Sequence, residues 1–222
     1  MFNRKKTEKV ENIGKSMTKV NIDFFGGENP GEATRYIVNR KKKALVELIL
    51  KDLDEFSLKP HLRLKCLNQL YSLIVCVEDG IKPFVDKILR QIVYKSILDE
   101  EADIAERVLK IAELLGLYVH TDYILPMIIS HLTDSESKQV PMFVSSCLTA
   151  LSAVITHSSI RHESSFEGLM DRLIELIVGS DYLQSENPDV LLRTLRVTSN
   201  IVYAGGPNGC KKRQHILFKV LL

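Results

Sequence analysis

The chain of 222 residues is 45% apolar and 26% charged, and its formal net charge is +2. This composition is typical of a soluble folded protein, and a charge so close to zero gives no general attraction to nucleic acid. No apolar run approaches the roughly 20 residues that span a bilayer, so the sequence predicts no membrane segment. Four cysteines without a CxxC pair favour a reducing compartment and predict a cytoplasmic protein.

Residues 1–30 are predicted to be a disordered, basic N-terminal tail. Residues 1–50 hold eleven Lys or Arg against six Asp or Glu, so the basic character of the chain belongs to this end. Gly26, Gly27, Pro30 and Gly31 close the segment with residues that favour turns. A polar stretch of this kind has too little apolar surface to form a core.

From residue 31 onward, apolar residues recur with the helical period and no segment alternates as a strand would. The predicted helices cover 33–53, 59–78, 81–97, 100–118, 121–132, 140–157, 166–178, 187–203 and 211–222. Gly205-Gly206-Pro207 is predicted to break the last two apart. The helix 211–222 would then be the outer member of a pair without its partner, so the array 31–222 is expected to be incomplete at its C-terminal end.

Four of these helices share one template around an anchor leucine. The anchors are Leu67, Leu109, Leu148 and Leu195, and the spacings between them are 42, 39 and 47 residues. Helical repeats of two or three helices have periods of about 40–47 residues. One pair cannot bury its own apolar face, whereas stacked pairs share a continuous core. The sequence therefore predicts an all-α fold, an α-solenoid of stacked antiparallel helix pairs.

Two of the template helices carry an acid and a base one turn apart, Asp103 with Arg107 and Asp189 with Arg193. Such i,i+4 residues share a helix face, and the acid near the helix start favours the dipole and could cap the helix. This element resembles the second helix of HEAT repeats. The resemblance to HEAT repeats as a whole covers about residues 58–222. The resemblance implies a HEAT/armadillo-like array in which the two pairs form a structural ladder. His61 with Lys65, and Met142 with Ser146, depart from the pattern.

More narrowly, residues 111–119 and 123–132 resemble the HEAT-repeat family that assists assembly of axonemal dynein arms. The resemblance implies a cytoplasmic protein-binding scaffold whose partners are dynein chains and other assembly factors. The alternative is a different HEAT adaptor, such as a transport receptor or a phosphatase or kinase scaffold. A tubulin-binding array is disfavoured because the chain has no Trp.

The chain contains none of the common catalytic and nucleotide-binding motifs GxGxxG, GxxxxGK[ST], HExxH and GxSxG. His157 and His162 lack a cysteine pair at zinc-ligand spacing and are assigned to a polar loop. The expectation is a protein that is not an enzyme and has no catalytic residues, metal, cofactor or small-molecule substrate. The basic runs 40–43 and 211–213 lack interleaved aromatic residues, which disfavours nucleic acid as a partner.

Opposite the anchor leucines, the template helices present polar residues at two levels. The first level holds Lys65, Arg107, Ser146 and Arg193, and the second holds Asn68, Lys110, Thr149 and Arg196. Six of these, Lys65, Asn68, Arg107, Lys110, Arg193 and Arg196, are the candidate protein-binding residues. They would form either a docking strip for an acidic protein segment or intramolecular pairs with Asp103, Asp189 and their neighbours.

Overall fold

The predicted all-α fold class is confirmed. The computed structural model describes residues 32–134, 140–158, 166–179 and 181–221, and within these ranges it contains helices and no strand. Side-chain environments are described for 38–134, 140–158, 171–177 and 182–204. The predicted tail, residues 1–30, lies outside the described residues. The chain divides into two compact units, Met1–Phe84 and Val85–Leu222.

The described part of the first unit is a helix pair followed by a 3₁₀ segment. Its elements are α1 (Glu32–Glu55), α2 (Pro60–Val77) and the 3₁₀-helix Glu78–Phe84. Pro60 occupies the first position of α2, where its missing N–H has no helical partner to lose. Glu78 ends α2 at φ 49, with its N–H bonded to the carbonyl of Ile74. Leu70 and Ile74 are fully buried in the core of this unit, and Val46 of α1 is also fully buried.

The second unit begins with an irregular helix. The segment 85–96, called α3, consists of the α-helix Val85–Ile88, the π-helix Leu89–Val93 and the α-helix Tyr94–Ser96. The sequence predicted a helix over about 81–97, and residues 81–96 are helical but do not form one continuous α-helix. The start at Ile81 lies in the 3₁₀ segment that holds Pro83, where proline removes a backbone donor. The part of the predicted helix that follows Phe84 contains the π-helix Leu89–Val93.

The remaining elements of the second unit are longer helices. They are α4 (Ala102–Tyr118), α5 (Thr121–Thr133), α6 (Pro141–His157), α7 (Phe166–Gly179) and α8 (Pro188–Leu221), with a 3₁₀ turn Asp181–Gln184 before α8. Within this unit α6 packs between α4 and α8, which makes one layer. The second layer is made by α5 and α7, which contact each other and this first layer. This two-layer arrangement buries the apolar stripes of all five helices.

The predicted break at Gly205-Gly206-Pro207 is wrong, because α8 continues as one helix to Leu221. Glycine permits a turn but also accepts helical dihedral angles, so it does not by itself end a helix. Proline inside a helix costs about 3 kcal/mol and removes one hydrogen bond, a penalty that a long helix can absorb. As far as Leu221, the predicted helix 211–222 is therefore the continuation of α8 rather than a new helix.

The anchor leucines are not the common buried column. Leu67 and Leu148 are buried, but Leu109 is half-buried and Leu195 is 43% exposed. Two other columns are buried in every template helix: the residue six positions after the anchor (Leu73, Leu115, Val154 and Ile201) and the residue directly before it (Cys66, Val108, Cys147 and Thr194). Small or β-branched side chains at this position let neighbouring helices approach closely. The repeat is therefore present, with two columns buried in all four template helices, whereas the anchor leucines themselves are buried in only two.

No helix of the described residues is both long and apolar enough to cross a membrane.

Candidate protein-docking surface

The junction between α6 and α8 carries polar side chains along one edge. The Arg193 guanidinium donates from Nη1 to the Thr149 hydroxyl at 2.9 Å. The same hydroxyl donates its own proton to the Ser145 carbonyl at 2.7 Å, so its lone pairs are oriented toward α8. Arg193 was predicted to stand level with Ser146. The structure places it level with Thr149, one turn later, and buries Ser146 to 2% exposure.

Asn200 extends the same junction two turns further along α8. Its Nδ2 donates to the Ser152 hydroxyl at 2.7 Å and to the Thr156 hydroxyl at 3.0 Å. Thr156 in turn donates to the Ser152 carbonyl. Because the contacts at Thr149 and Thr156 advance together along both helices, α6 and α8 run in the same direction. We call this row, Thr149, Ser152, Thr156, Arg193 and Asn200, the polar seam.

The junction between α4 and α6 is apolar, and the backbones of the two helices lie close together. A Cβ on Gly116 would lie 2.6 Å from the carbonyl oxygen of Val154 and 2.8 Å from its Cα. Gly116, Val154, Ala112 and Leu115 are all buried. Backbone therefore meets backbone here with no room for a side chain.

The candidate residues on α4 lie at the margin of this layer. Lys110 and Arg107 are both half-buried. Lys110 forms an ion pair with Glu106 one turn before it, and the interaction lowers the pKa of the exposed Glu106 carboxyl. The other two candidates, Lys65 and Asn68, belong to the first unit, where Lys65 is exposed and Asn68 is half-buried. The buried Oδ1 of Asn68 has no hydrogen-bond partner.

The acids of the predicted ladder lie in the first turns of α4 and α8, and both are exposed. Neither acid caps its helix. Asn187 caps α8, since its Oδ1 accepts from the N–H groups of Asp189 at 3.0 Å and of Val190 at 3.3 Å. Asp103 and Asp189 retain the favourable position for the helix dipole. Arg193 donates a hydrogen bond to Thr149 of the neighbouring helix.

The sequence interpretation missed an exposed apolar face on α8. Leu192 is 62% exposed, Leu195 43% and Tyr203 69%, and Arg196 lies exposed among them. At 3.6 residues per turn, these residues lie within about 100° of arc, opposite the stripe that buries Thr194 and Ile201. We call this surface the α8 face. The signal was present in the sequence, because a helix that is apolar on two sides needs a second partner.

The described residues also limit the chemistry. Among them, no three His, Cys, Asp or Glu side chains are grouped as a metal site. His157 lies in the last turn of α6 rather than in a loop, and His162 lies outside the described residues. Cys66, Cys76 and Cys147 are buried and form no disulfide, and burial raises the pKa of Cys66 to about 11 and that of Cys147 to about 12. Such thiols remain protonated and behave as small apolar groups.

Comparison with known proteins gives a family match over most of the chain. The family described as dynein axonemal assembly factor 5, HEAT-repeat domain, matches residues 25–222. A dynein axonemal assembly factor 5 from Xenopus laevis is 24% identical over 201 residues, which cover 85% of this chain and 24% of the relative. The chain thus spans about a quarter of the length of that relative.

A solved structure of an engineered protein from the Northeast Structural Genomics Consortium also aligns with this chain. The alignment covers 96% of this chain and 94% of that chain at 14% identity, with a TM-score of 0.38. A score this low does not establish a shared fold.

Proposed function

Because the chain belongs to the family of the HEAT-repeat domain of dynein axonemal assembly factor 5, we propose that it is a cytoplasmic protein-binding scaffold that assists assembly of axonemal dynein arms. This family is not a known enzyme class, and a non-catalytic role is part of the proposal. Its partners would be dynein chains and other assembly factors. The same HEAT architecture serves other adaptors, so the client must be tested directly.

The observation that carries the proposal is the α8 face. Leu192, Leu195 and Tyr203 lie on the same side of α8 as the exposed Arg196, with Tyr203 about two turns further along, and the opposite side of the helix is already packed. Exposed large apolar side chains interspersed with polar groups on one side of a helix are a feature of protein interaction sites. Leu, Tyr and Arg together supply contact area and a charge-assisted hydrogen bond.

The chemistry of this surface favours an acidic segment that also carries apolar residues. Arg196 offers its guanidinium to a carboxylate, and Arg193, Arg107 and Lys110 add positive charge on the same layer. Arg193 is already hydrogen-bonded to Thr149 and Lys110 to Glu106. We therefore assign direct partner contact first to Arg196, and assign the other three a role in the local electrostatic field.

The proposal is tested by affinity capture from ciliated cells with the wild-type chain and Arg196→Glu. We expect the wild type to retain dynein heavy or intermediate chains. The variant should retain them about tenfold less, since reversal of one interfacial charge costs on the order of 1.4 kcal/mol. Arg172→Glu is the matched control, because Arg172 is exposed on α7, in the other layer. It should retain dynein chains as the wild type does.

Two results would contradict the proposal. Capture of nuclear pore or phosphatase components in place of dynein chains would assign the chain to the alternative class of adaptor. Equal loss of capture in Arg196→Glu and Arg172→Glu would show that the α8 face is not the docking surface. Circular dichroism of each variant checks that helix content is unchanged, as is expected for exposed positions.

A further inference from the structure

The two helices that flank α6 carry the same three kinds of side chain in the same order. Each presents an acid, a base and an apolar residue at intervals of seven residues. The two sets are Asp103, Lys110 and Leu117 on α4, and Asp189, Arg196 and Tyr203 on α8. We call them the α4 track and the α8 track. Because seven residues make almost two helical turns, the members of each track lie within about 40° of arc.

Both tracks lie on the outer side of the layer made by α4, α6 and α8. All of their side chains are exposed except that of Lys110, which is half-buried. On α4, the side opposite the track buries Val108 and Leu115. On α8, the opposite side buries Thr194 and Ile201. The tracks therefore face away from the core of the second unit.

The tracks run in the same direction on either side of α6. Gly116 and Val154 meet near the C-terminal ends of α4 and α6, and the two helices pack along their length, so they run in parallel. The polar seam shows the same direction for α6 and α8. Both acids therefore lie near the helix starts. Both bases lie about two turns later, and both apolar residues lie about two turns beyond the bases.

The ion pairs of the described residues leave most of the track charges available. They include Lys110 with Glu106, but they do not include Asp103, Asp189 or Arg196. The helix dipole favours both acids at their helix starts, but it explains neither the bases nor the shared interval of seven residues. The α8 track therefore offers one acid and one base to an external partner.

The space over α6 matches the width of one helix. Neighbouring packed helices lie about 8–10 Å apart, so the axes of α4 and α8 are separated by up to about 16–20 Å. A helix with its side chains is about 10–12 Å wide. Between the tracks, α6 presents Met142, Thr149 and Thr156, none of which is charged. A helix placed over α6 therefore reaches the charges of both tracks and meets none on α6 itself.

The interval of the tracks selects a helix over an extended segment. Seven residues of α4 or α8 span about 10.5 Å, which an extended chain covers in about three residues. Residues three apart in a strand point to opposite sides, so a strand cannot present three successive contacts to the tracks. A helix aligned with α6 repeats its own side chains at the same interval of about seven residues.

We propose that the two tracks bind one amphipathic α-helix of a partner protein, which lies along α6 and presents a basic, an acidic and an apolar residue at intervals of seven. The basic residue pairs with Asp103 or Asp189, and the acidic residue pairs with Arg196. The apolar residue contacts Leu117 and Tyr203. This inference rests on the proposed function, because it makes the acidic segment that Arg196 binds the middle one of three positions.

Two synthetic helices test the order of the three contacts. One is an alanine-based peptide with arginine, glutamate and leucine at intervals of seven residues, and the other has the glutamate and the leucine exchanged. Both carry the same side-chain staple, so that they are equally helical. Fluorescence anisotropy with the full chain should show about fivefold tighter binding of the first peptide, because the second cannot place both of its charges against their partners at once. Equal affinities overturn the proposal, whether or not dynein chains are captured.

Neutral variants test the acidic end of the tracks. The double variant Asp103→Asn with Asp189→Asn should bind the first peptide about threefold or more weakly than the wild type does. Asp122→Asn is the matched control, because Asp122 is an exposed first-turn acid on α5, in the other layer. It should bind the peptide as the wild type does. An unchanged affinity in the double variant, or an equal loss in Asp122→Asn, overturns the pairing of the acids with a basic residue.

Capture from ciliated cells separates this inference from the proposed function. If the wild type and the double variant retain dynein chains equally, the scaffold role stands and the assignment of the tracks is wrong. If the wild type retains no dynein chain but binds the first peptide selectively, the tracks stand and the client is a different protein.

Discussion

The two junctions that α6 makes with its neighbours are built from opposite chemistry. Toward α4, the backbone of Gly116 lies against the backbone of Val154. Toward α8, the polar seam joins the helices through the hydrogen bonds of Arg193 and Asn200. An apolar close contact is strong but tolerates little change in volume, whereas directional hydrogen bonds fix the relative positions of two helices for a smaller free energy. The same repeat template thus gives one junction defined by shape and one defined by hydrogen bonds.

The largest effect is expected from filling the space at the α4–α6 junction. Gly116→Ala should lower the free energy of unfolding by about 1–3 kcal/mol, because the added Cβ meets backbone atoms that cannot rotate away. Helix propensity alone would favour alanine by about 1 kcal/mol. The sign of the change in the free energy of unfolding therefore shows whether the steric clash or the helix propensity is larger. Urea denaturation followed by circular dichroism measures it.

Leu117→Ala is the neighbouring control for this substitution. Leu117 follows Gly116 on α4 but is 52% exposed, so its truncation should change the free energy of unfolding by only about 0.5 kcal/mol. If Gly116→Ala were more stable than the wild type, the close contact between α4 and α6 would be wrong.

A smaller effect is expected from removing the central donor of the polar seam. Asn200→Ala loses the hydrogen bonds to Ser152 and Thr156, and we expect a cost of about 1–2 kcal/mol in the same denaturation experiment. The adjacent Ser199 is exposed, so Ser199→Ala should remain within about 0.5 kcal/mol of the wild type. Equal stability of these two variants would mean that the seam contributes nothing to the α6–α8 junction.

The helices could be predicted from the sequence because their signal is local. Apolar periodicity and capping residues located α4 to α7 to within about two residues at each end. The continuity of α8 could not be predicted, since Gly205-Gly206-Pro207 allows either a break or a helix. The π turn of α3 could not be predicted either, because nothing in the local pattern of Leu89–Val93 distinguishes it from a regular turn of α-helix.

The surface was harder to predict than the fold. Leu195 and Thr194 are neighbours, and hydrophobicity alone assigned the leucine to the core. The structure buries Thr194 completely, with its hydroxyl bonded to the Val190 carbonyl at 2.7 Å, and exposes Leu195. A threonine that satisfies its own hydroxyl along the helix can occupy an apolar interior. Which of two adjacent residues faces the neighbouring helix depends on the position of that helix. That position cannot be read from a single sequence.

The smallest effect is expected at Arg193. There the loss of a hydrogen bond is nearly offset by the removal of an unpaired buried nitrogen. Arg193→Met removes the hydrogen bond to Thr149 but also removes a buried Nε that has no partner, so the variant alone should change stability by only about 0.5 kcal/mol. The bond is isolated by a double-mutant cycle with Thr149→Val, and we expect a coupling free energy of about 0.5–1.5 kcal/mol. The pair Arg193→Met with Ser199→Ala should give no coupling, because Ser199 is exposed. If the Thr149 cycle also gave none, the contact would add nothing to stability, and the α6–α8 junction would depend on Asn200 alone for its polar specificity.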